Sequence, residues 1–279
     1  MPILSGRARL AGIAGWPVAH SRSPRIHGFW LDRYAIDGAY VPLPIHPDNF
    51  EAALRGLQAA GFAGVNVTIP HKLAAFDICD SVDDLARRAG AVNTITFHAG
   101  RIQGTNTDGT GFTAALREAG VDPGAGPALI LGAGGAAHAV AAALLACRIP
   151  VSITNRTRAR AMTLASHFPS LEVIDWDKRE QALAHQALLV NATSLGMDGQ
   201  PPLAMDLRHA PSSLVVAETV YTPLETPLLA AARARGLRVV DGLGMLLHQA
   251  CPGFAAWFGV EPAVDAALRR FVLADLGAG

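Results

Sequence analysis

The sequence lacks a net charge, because its 279 residues include 23 lysines and arginines against 23 aspartates and glutamates. No overall field therefore draws the protein to nucleic acid or to an anionic membrane, which favours a small-molecule partner.

Cysteine is also scarce. Cys79, Cys147 and Cys251 lie far apart and show no paired spacing of a metal site or a disulfide framework. Buried free thiols in a reducing cytoplasm fit this usage best.

Repeats, low-complexity linkers and clear targeting signals are absent as well. The apolar run at 10–18 is short and broken by glycine and proline, which argues against a signal peptide. The stretch 127–147 is long enough to span a membrane, but its central glycine cluster predicts a strand, a turn and a helix instead. The four histidines at positions 20, 27, 71 and 248 have no metal-ligand spacing. We therefore expect a cytoplasmic protein without a bound metal.

An alternation of short β-branched runs and longer helical patterns is present instead, and it predicts parallel sheets covered by helices. Hydrophobic residues make up 51% of the chain, which is enough for the cores of two domains. Strands are predicted at 9–14, 39–43, 64–68, 128–131, 151–154, 187–190, 214–217 and 237–240. Helices are predicted at 24–34, 48–60, 111–119, 135–147, 226–235, 244–257 and 262–276.

A glycine-rich turn follows the predicted strand at 128–131 and opens a predicted helix. Residues 132–137 read Gly-Ala-Gly-Gly-Ala-Ala, which matches the G-x-G-x-x-A fingerprint of dinucleotide binding. Gly132 would make the tight turn, Gly134 would let the backbone approach a pyrophosphate, and Ala137 would keep the helix close to the strand. An ordinary small-residue turn is the alternative, but the flanking strand and helix favour a dinucleotide site.

The segment roughly 20 residues after the first glycine indicates which dinucleotide is bound. An NAD enzyme has a carboxylate there, whereas this chain reads Asn155-Arg156-Thr157-Arg158, followed by Arg160. Guanidinium and hydroxyl groups can bind a phosphate. Arginines at the start of a helix oppose its dipole, so a purely solvating role explains them less well. The pattern favours NADP.

Motifs on both sides of this turn resemble those of the shikimate dehydrogenase family over residues 12–259. They are GWPVAHSRSP at 15–24, GVNVTIPHK at 64–72, GAVNT at 90–94, NTDG at 106–109, NRT at 155–157, NATSLGM at 191–197, VYTPLETPL at 220–228 and GLGMLLHQ at 242–249. The resemblance implies an α/β fold with an N-terminal α/β substrate domain and a Rossmann-like NADP-binding domain. Residues 1–107 and 243–279 would form the first, with the C-terminal helices returning to it, and residues 108–242 the second.

The same resemblance implies the reaction, which is reversible reduction of 3-dehydroshikimate to shikimate by NADPH in aromatic amino-acid biosynthesis. Lys72 and Asp108 would be the catalytic pair, in a monomer or a homodimer. The substrate-binding residues would be Ser21, Ser23, Thr68, Asn93, Asp108, Tyr221 and Gln249. The cofactor-binding residues would be Gly132, Ala133, Gly134, Gly135, Ala136, Asn155, Arg156, Thr157, Arg160, Thr193, Gly242 and Met245.

Elementary chemistry gives some of these residues a role and an alternative. Hydride delivery to a carbonyl leaves an alkoxide that needs a proton, and Lys72 could donate it from the first turn of a helix opened by Pro70. A solvated surface lysine is the alternative. Asp108 could cap a helix while it orients the lysine. Ser23 is interpreted as a helix cap, which leaves the hydroxyl of Ser21 to help bind a carboxylate.

Three positions depart from the family pattern, and two other functions stay open. Gly28 stands where many members have asparagine, Glu218 where aspartate is usual, and His138 where a basic residue often follows the glycine-rich turn. A neutral imidazole at position 138 would offer less charge to a cofactor. The alternatives are an NAD-preferring quinate/shikimate dehydrogenase and a non-catalytic NADP-binding regulatory module.

Overall fold

The computed structural model describes residues 3–276, and these form two compact units. Unit 1 contains the described residues up to Thr107 and from Gln249 onward, and unit 2 runs from Asp108 to His248. Within residues 3–276, no helix combines the length and the apolar character needed to cross a membrane. The glycine-rich stretch at 127–147 is a strand followed by a helix, as predicted.

Unit 1 contains a mixed six-stranded sheet. Its strands are β1 (Arg9–Gly15), β2 (Gly38–Pro44), β3 (Gly64–Val67), β4 (Ser81–Val82), β5 (Thr94–His98) and β6 (Arg101–Thr105), in the order β2-β1-β3-β5-β6-β4. Strand β5 is antiparallel to both β3 and β6. The prediction of purely parallel sheets is therefore wrong here, because Ala99 and Gly100 have positive φ angles of 49° and 75° and reverse the chain in a tight hairpin turn.

Four helices accompany these strands in the first part of the chain. They are α1 (Ser23–Arg33), α2 (Phe50–Ala59), α3 (Lys72–Ile78) and α4 (Asp84–Ala89). The predicted helix at 48–60 is divided, since a short 3-10 turn at Pro47–Asn49 precedes α2. The apolar core between α2 and the sheet includes Phe50, Leu54 and Ile95, all of them buried.

Unit 2 contains a six-stranded sheet in which every pairing is parallel. Its strands are β7 (Ala128–Leu131), β8 (Val151–Thr154), β9 (Leu171–Val173), β10 (Leu188–Asn191), β11 (Val215–Glu218) and β12 (Arg238–Val240). They lie in the order β12-β11-β10-β7-β8-β9. Numbered within the unit, this is the 3-2-1-4-5-6 order of a Rossmann fold, which binds its ligand where the order reverses, between β7 and β10.

Helices cover both faces of the second sheet. They are α5 (Asp108–Glu118), α6 (Gly135–Ala146), α7 (Arg158–Ser166), α8 (Arg179–Ala182) and α9 (Pro227–Ala234). The side chains of β7 alternate between two cores, with Ile130 in the core that includes α6 and Leu129 in the core that includes α9. Burial on both faces explains why the strands of this unit are continuous apolar runs.

The last two helices are α10 (Gly242–Phe258) and α11 (Ala266–Leu276). Helix α10 belongs to unit 2 up to His248 and to unit 1 from Gln249 onward. Its second half carries Phe254 and Trp257 into the core of unit 1, where the indole nitrogen of Trp257 donates to the carbonyl of Ile95 at 3.0 Å. The α/β fold with a Rossmann-like unit and returning C-terminal helices is therefore confirmed.

The sequence predicts that the thiols of all three cysteines are buried, and the structure differs from this in one respect. None of the three forms a disulfide bond, but only Cys251 is buried, and Cys79 and Cys147 are partly exposed. Burial raises the pKa of the Cys79 and Cys251 thiols to about 12, so these two remain protonated at neutral pH.

Candidate functional site

The glycine-rich turn of unit 2 needs glycine at its first position for two reasons. Gly132 has a φ of +106°, and a Cβ atom there would lie 2.8 Å from the carbonyl oxygen of Ala192 on the loop after β10. A larger residue would therefore push apart the two strands between which the order reverses. Gly134 differs, because no atom lies within 4 Å of its added Cβ. The backbone at Gly134 consequently faces open space.

The N-terminus of α6 is free of side chains that would compete for its amides. Gly134 occupies the N-cap without a side-chain hydrogen bond, and the first turn holds no acidic residue. Gly134 and Gly135 are exposed, Ala133 and Ala136 are half-buried, and Ala137 is fully buried against β7. Free amides and the positive end of the helix dipole therefore form a site suited to an anion.

The predicted phosphate-binding segment follows β8, beside this turn. The side-chain amide of Asn155 donates to the carbonyl of Thr157 at 2.8 Å within this segment. The side chains of Arg156, Thr157 and Arg160 are exposed. Arg158 is different, since its guanidinium is paired with the carboxylate of Asp175. The segment itself contains no carboxylate, but the chain returns after β9 and brings Asp175 to the start of α7.

The remaining predicted cofactor residues also follow strands of unit 2. Thr193 follows β10 and is half-buried, and Gly242 begins α10, where a Cβ atom would lie 2.3 Å from the carbonyl oxygen of Val220. Met245 is 8% exposed and belongs to the apolar core of the unit. Tyr221, a predicted substrate residue, follows β11 and is half-buried.

A buried polar cluster is hydrogen-bonded to Thr193. The amide of Asn191 donates to both carboxylate oxygens of Glu218, at 3.1 and 2.9 Å, and the hydroxyl of Thr226 donates at 2.8 Å. The amide oxygen of Asn191 in turn accepts from the backbone and hydroxyl of Thr193, at 3.0 and 2.7 Å. Burial raises the pKa of Glu218 to about 7, against the opposing effect of the hydrogen bonds from Thr226 and Asn191.

The predicted substrate residues of unit 1 meet at one edge of the mixed sheet. Thr68 follows the end of β3, and the serines lie on the segment that follows β1. Asn93 immediately precedes β5, and because β5 is antiparallel to its neighbours, its beginning lies beside the end of β3. The backbone of Val67 accordingly donates to the carbonyl of Asn93 at 2.7 Å. The antiparallel strand missed by the sequence analysis is thus what brings Asn93 to this edge.

Asn93 is held by a dense set of hydrogen bonds. It is 2% exposed, and its amide oxygen accepts from the backbone of Thr107 at 2.8 Å and from the hydroxyl of Thr94 at 3.1 Å. Its amide nitrogen donates to Gln249 at 3.4 Å, and the hydroxyl of Thr107 donates to the carbonyl of Gln249 at 2.8 Å. Two predicted substrate residues, Asn93 and Gln249, are therefore brought together.

The two serines differ from the roles that the sequence suggested. Helix α1 begins at Ser23, and its N-cap position is Arg22, whose side chain makes no cap hydrogen bond. The hydroxyl of Ser21 accepts from the backbone of Ser23 at 3.2 Å. The interpretation of Ser23 as the cap is therefore wrong, since Ser23 is the first residue of the helix and is buried.

The two predicted catalytic residues lie in different units, each at the first residue of a helix. Lys72 begins α3 and is half-buried, and Asp108 begins α5 and is 6% exposed. Pro70 lies before the helix, in a turn closed by a bond from the His71 backbone to the carbonyl of Thr68 at 2.9 Å, so its predicted place at the first helical position is wrong. No group of three potential metal ligands occurs among the described residues.

Four polar residues of this region had no role in the sequence analysis: Tyr40, Asn66, Thr94 and Thr107. The hydroxyl of Tyr40 donates to the amide oxygen of Asn66 at 2.6 Å. The amide of Asn66 donates to the carbonyl of Asn93 at 3.2 Å and to the hydroxyl of Thr94 at 3.0 Å. A signal existed for Asn66, since an amide between two valines of a buried strand must find partners. Tyr40 gave no such signal.

The departures from the family pattern have different surroundings. An added Cβ at Gly28 would meet no atom within 4 Å, so a side chain would fit there. His138 lies in the first turn of α6, with its ring 5.9 Å from that of His167. Glu218 is the buried carboxylate described above.

Three family models match the chain. They are the shikimate dehydrogenase substrate-binding domain over residues 13–95, shikimate/quinate 5-dehydrogenase over 122–196, and the shikimate 5′-dehydrogenase C-terminal domain over 242–270.

Similar proteins extend over nearly the whole chain. The shikimate dehydrogenase (NADP(+)) of Acidiphilium cryptum is 63% identical and that of Rhodospirillum rubrum 55%, with 98% and 97% of this chain and 99% of each relative covered. The shikimate 5-dehydrogenase of Thermus thermophilus, solved in complex with NADP(H) and shikimate, is 37% identical with a TM-score of 0.87, covering 95% of this chain and 99% of that one. This chain belongs to the shikimate dehydrogenase family.

Proposed function

We propose that the protein is an NADP-dependent shikimate dehydrogenase, which reversibly reduces 3-dehydroshikimate to shikimate in aromatic amino-acid biosynthesis. The observation that carries the proposal is the free N-terminus of α6, which stands where the strand order of unit 2 reverses and beside the exposed arginines after β8. The names of the relatives, which share over half of their residues with this chain, support the same reaction and cofactor.

The residues of unit 2 fit a dinucleotide. Open space above Gly134 and the uncapped amides of α6 suit a pyrophosphate, and Arg156, Thr157 and Arg160 suit the additional phosphate of NADP. Arg158 is already paired with Asp175, so we assign it no phosphate. We assign the other cofactor contacts to Gly132, Ala133, Gly135, Ala136, Asn155, Thr193, Gly242 and Met245.

Most of the proposed substrate residues belong to unit 1. We propose that Ser21 and Ser23 bind the carboxylate, and that Asn93 and Gln249, already oriented by Thr107, bind ring hydroxyls. Thr68, Tyr221 and Asp108 complete the proposed set. On this assignment residues 1–107 and 243–279 form the substrate domain, in which Met245 contacts the cofactor, and residues 108–242 form the cofactor domain, in which Asp108 and Tyr221 contact the substrate.

Lys72 and Asp108 are the proposed catalytic pair. NADPH, when bound, supplies the hydride that reduces the carbonyl. Lys72 donates the proton that the resulting alkoxide requires, from the first turn of α3. Asp108, at the first residue of α5, accepts a hydrogen bond from a substrate hydroxyl.

A spectrophotometric assay tests the proposal and separates the alternatives. Shikimate and quinate are each paired with NADP and with NAD, and reduction of the cofactor is followed. We expect the highest rate with shikimate and NADP. Preference for quinate with NAD would support the broader dehydrogenase, and absence of all four activities would support a regulatory module.

Two further properties belong to the same proposal. We propose a cytoplasmic location, because three free cysteines suit a reducing compartment. We also propose that one chain carries all of the assigned residues, so that a monomer or a homodimer would be active.

A further inference from the structure

Thr193, to which we assign a cofactor contact, packs against the glycine-rich turn of unit 2. A Cβ atom added at Gly132 would lie 3.0 Å from the Cγ2 methyl of Thr193. The two segments are neighbours because each follows one of two paired strands, and Asn191 at the end of β10 is in register with Leu131 at the end of β7. A shift of the turn at residues 193–195 would therefore reach the proposed dinucleotide site directly.

The buried side chain of Asn191 holds this turn. Its amide oxygen accepts from the backbone and from the hydroxyl of Thr193, at 3.0 and 2.7 Å. Its amide nitrogen donates to the carbonyl of Leu195 at 3.1 Å, and the backbone of Leu195 donates to the Thr193 hydroxyl at 3.0 Å. Because the Thr193 backbone can only donate and the Leu195 carbonyl can only accept, these bonds form in one orientation of the Asn191 amide.

Glu218 on β11 receives the other proton of the Asn191 amide. The amide nitrogen lies 3.1 and 2.9 Å from the two carboxylate oxygens, and the hydroxyl of Thr226 donates to one of them at 2.8 Å. Thr226 is itself held, since it caps α9 and its hydroxyl accepts from the backbone of Leu229 at 3.2 Å. Asn191, Glu218 and Thr226 are at most 1% exposed, so bulk water is excluded as a substitute partner.

An ionised carboxyl group suits this position because both of its oxygens accept hydrogen bonds. Burial raises the pKa of Glu218 to about 7, so the carboxyl group is ionised at pH 8.5. A glutamine would keep the size of the side chain but replace one oxygen by an NH2 group that faces the donors of Asn191 and Thr226. Two donors would then meet at hydrogen-bond distance, and a buried polar group would lose its partner.

We propose that Glu218 is a positioning residue of the cofactor site, which fixes the amide of Asn191 and through it the Thr193 turn beside Gly132. Glu218 itself contacts neither cofactor nor substrate in our assignment. This inference rests on the proposed function, because it assumes that Thr193 contacts the dinucleotide. The empty chain would then already hold the turn in its binding geometry, so that the cofactor need not order it.

The effect of Glu218 should be the same for NADP and for NAD. Strand β7 lies between β10 and β8 in the sheet, so the Thr193 turn is two strand spacings, about 10 Å, from the segment that carries Arg156 and Arg160. The additional phosphate of NADP is assigned to those arginines. The Thr193 turn should therefore contact a part of the dinucleotide that both cofactors share.

The test compares Glu218→Gln with the wild-type chain at pH 8.5, by calorimetric titration with NADP and with NAD. We expect the Kd of both cofactors to rise by about 3- to 10-fold, the effect of one hydrogen bond, and the two ratios to agree within about twofold. KM for shikimate should change less than about twofold. In the chain without cofactor, hydrogen exchange of the Thr193 and Leu195 amides should be faster by about 3- to 10-fold.

Two variants provide the controls. Glu218→Asp keeps an acceptor-only group, withdrawn by about 1.5 Å, and should weaken NADP less than Glu218→Gln does. Glu172→Gln changes another glutamate of unit 2, whose carboxylate accepts from the hydroxyl of Ser152 at 3.1 Å, and should leave both Kd values and the exchange of the Thr193 and Leu195 amides unchanged.

Urea midpoints show whether a loss of affinity follows a loss of stability in these variants. If Glu218→Gln does not fold, Glu218→Ala takes its place, since it removes the carboxylate without opposing two donors. The same rise in both Kd values and the same faster exchange are expected for Glu218→Ala.

The possible results separate this inference from the proposed function. If the wild-type chain binds NADP, an unchanged Kd in Glu218→Gln, or a rise confined to NADP, would overturn the inference and leave the proposed function standing. A rise in Kd without faster exchange of the Thr193 and Leu195 amides would also overturn it, because Glu218 would then not hold the turn. A wild-type chain that neither binds NADP nor oxidises shikimate with it would contradict the proposed function, and the inference with it.

Discussion

In unit 2 most of the proposed cofactor residues belong to two short segments, 132–136 and 155–160, whereas in unit 1 the proposed substrate residues come from separate parts of the chain. The turn at Gly132 and Gly134 works through its backbone, so its sequence is nearly sufficient to describe it. Asn93 and Gln249 are far apart in sequence and meet only after the mixed sheet and α10 have formed. A site built from backbone amides is therefore easier to recognise than one built from side chains.

The buried polar groups of the two units also differ in charge. The network around Asn66 and Asn93 consists of neutral hydroxyl and amide groups, so changes of pH near neutrality leave it intact. In unit 2, the polar cluster that is hydrogen-bonded to Thr193 contains the carboxyl group of Glu218, whose pKa is raised to about 7 by burial. The stability of unit 2 should therefore change with pH near neutrality, whereas the hydrogen-bond network of unit 1 should not contribute such a change.

The largest expected effect concerns Lys72. Lys72→Ala should lower kcat by about two to four orders of magnitude through loss of the proton donor, while KM for shikimate changes far less. The matched control is Lys178→Ala, which removes the chain's other lysine, an exposed residue of unit 2. Near-wild-type kcat in Lys72→Ala would exclude it as the proton donor.

The next effect concerns the phosphate site of unit 2. Replacing Arg156 and Arg160 together with glutamine should raise KM for NADP by about 10- to 100-fold, the value of one or two charge-assisted hydrogen bonds, and leave kcat/KM for NAD nearly unchanged. Arg158→Gln is the control, because that guanidinium is already engaged by Asp175. If Arg158→Gln raised KM for NADP as much as the double variant does, the assignment of the phosphate to Arg156 and Arg160 would be wrong.

Glu218 should give unit 2 a distinct pH dependence. Its pKa is about 7 in the fold against an ordinary value of 4.5, so the folded state binds the proton more tightly. The resulting stabilisation is fully present below pH 4.5 and is lost as pH rises through about 7, amounting to about 2 kcal/mol between roughly pH 5.5 and 8.

Urea unfolding of wild type and Glu218→Gln across this pH range measures that contribution. The difference in unfolding free energy between the two should change with pH by the stated amount. Glu261→Gln, at an exposed position, should show no such change. A pH-independent difference for Glu218→Gln would mean that the raised pKa of the carboxyl group is wrong.

The smallest expected effect concerns the serines of unit 1. Ser21→Ala combined with Ser23→Ala should raise KM for shikimate by about 5- to 10-fold, since hydrogen bonds to the carboxylate are lost. KM for NADP should stay unchanged. An unchanged KM for shikimate would leave Ser21 as a partner of the α1 backbone only.

Much of the fold could be predicted, and the exceptions have physical reasons. Strands β7 and β8 were predicted at their observed bounds, because they are buried apolar runs between turns. The hairpin of β5 and β6 was missed because Thr94–His98 and Arg101–Thr105 mix polar and apolar residues and are joined by Ala99-Gly100 instead of a strong turn pair. The three-residue edge strand β9 was too short to give a pattern.

The candidate site was less predictable than the fold. The pairing of Arg158 with Asp175 depends on the chain returning after β9, and the hydrogen bond from Tyr40 to Asn66 depends on β2 and β3 pairing on either side of β1. Neither can be deduced from residues that are close in sequence. The glycine positions could be predicted, since their requirement is imposed by the turn itself.

The central claim is that the serines of unit 1 recognise the carboxylate of the substrate and that the arginines of unit 2 recognise the additional phosphate of the cofactor. It is tested most directly by measuring KM for shikimate and KM for NADP in the double serine variant and the double arginine variant under one set of conditions. We predict that the serine variant raises only KM for shikimate and that the arginine variant raises only KM for NADP. Equal increases of both constants in either variant would contradict the claim.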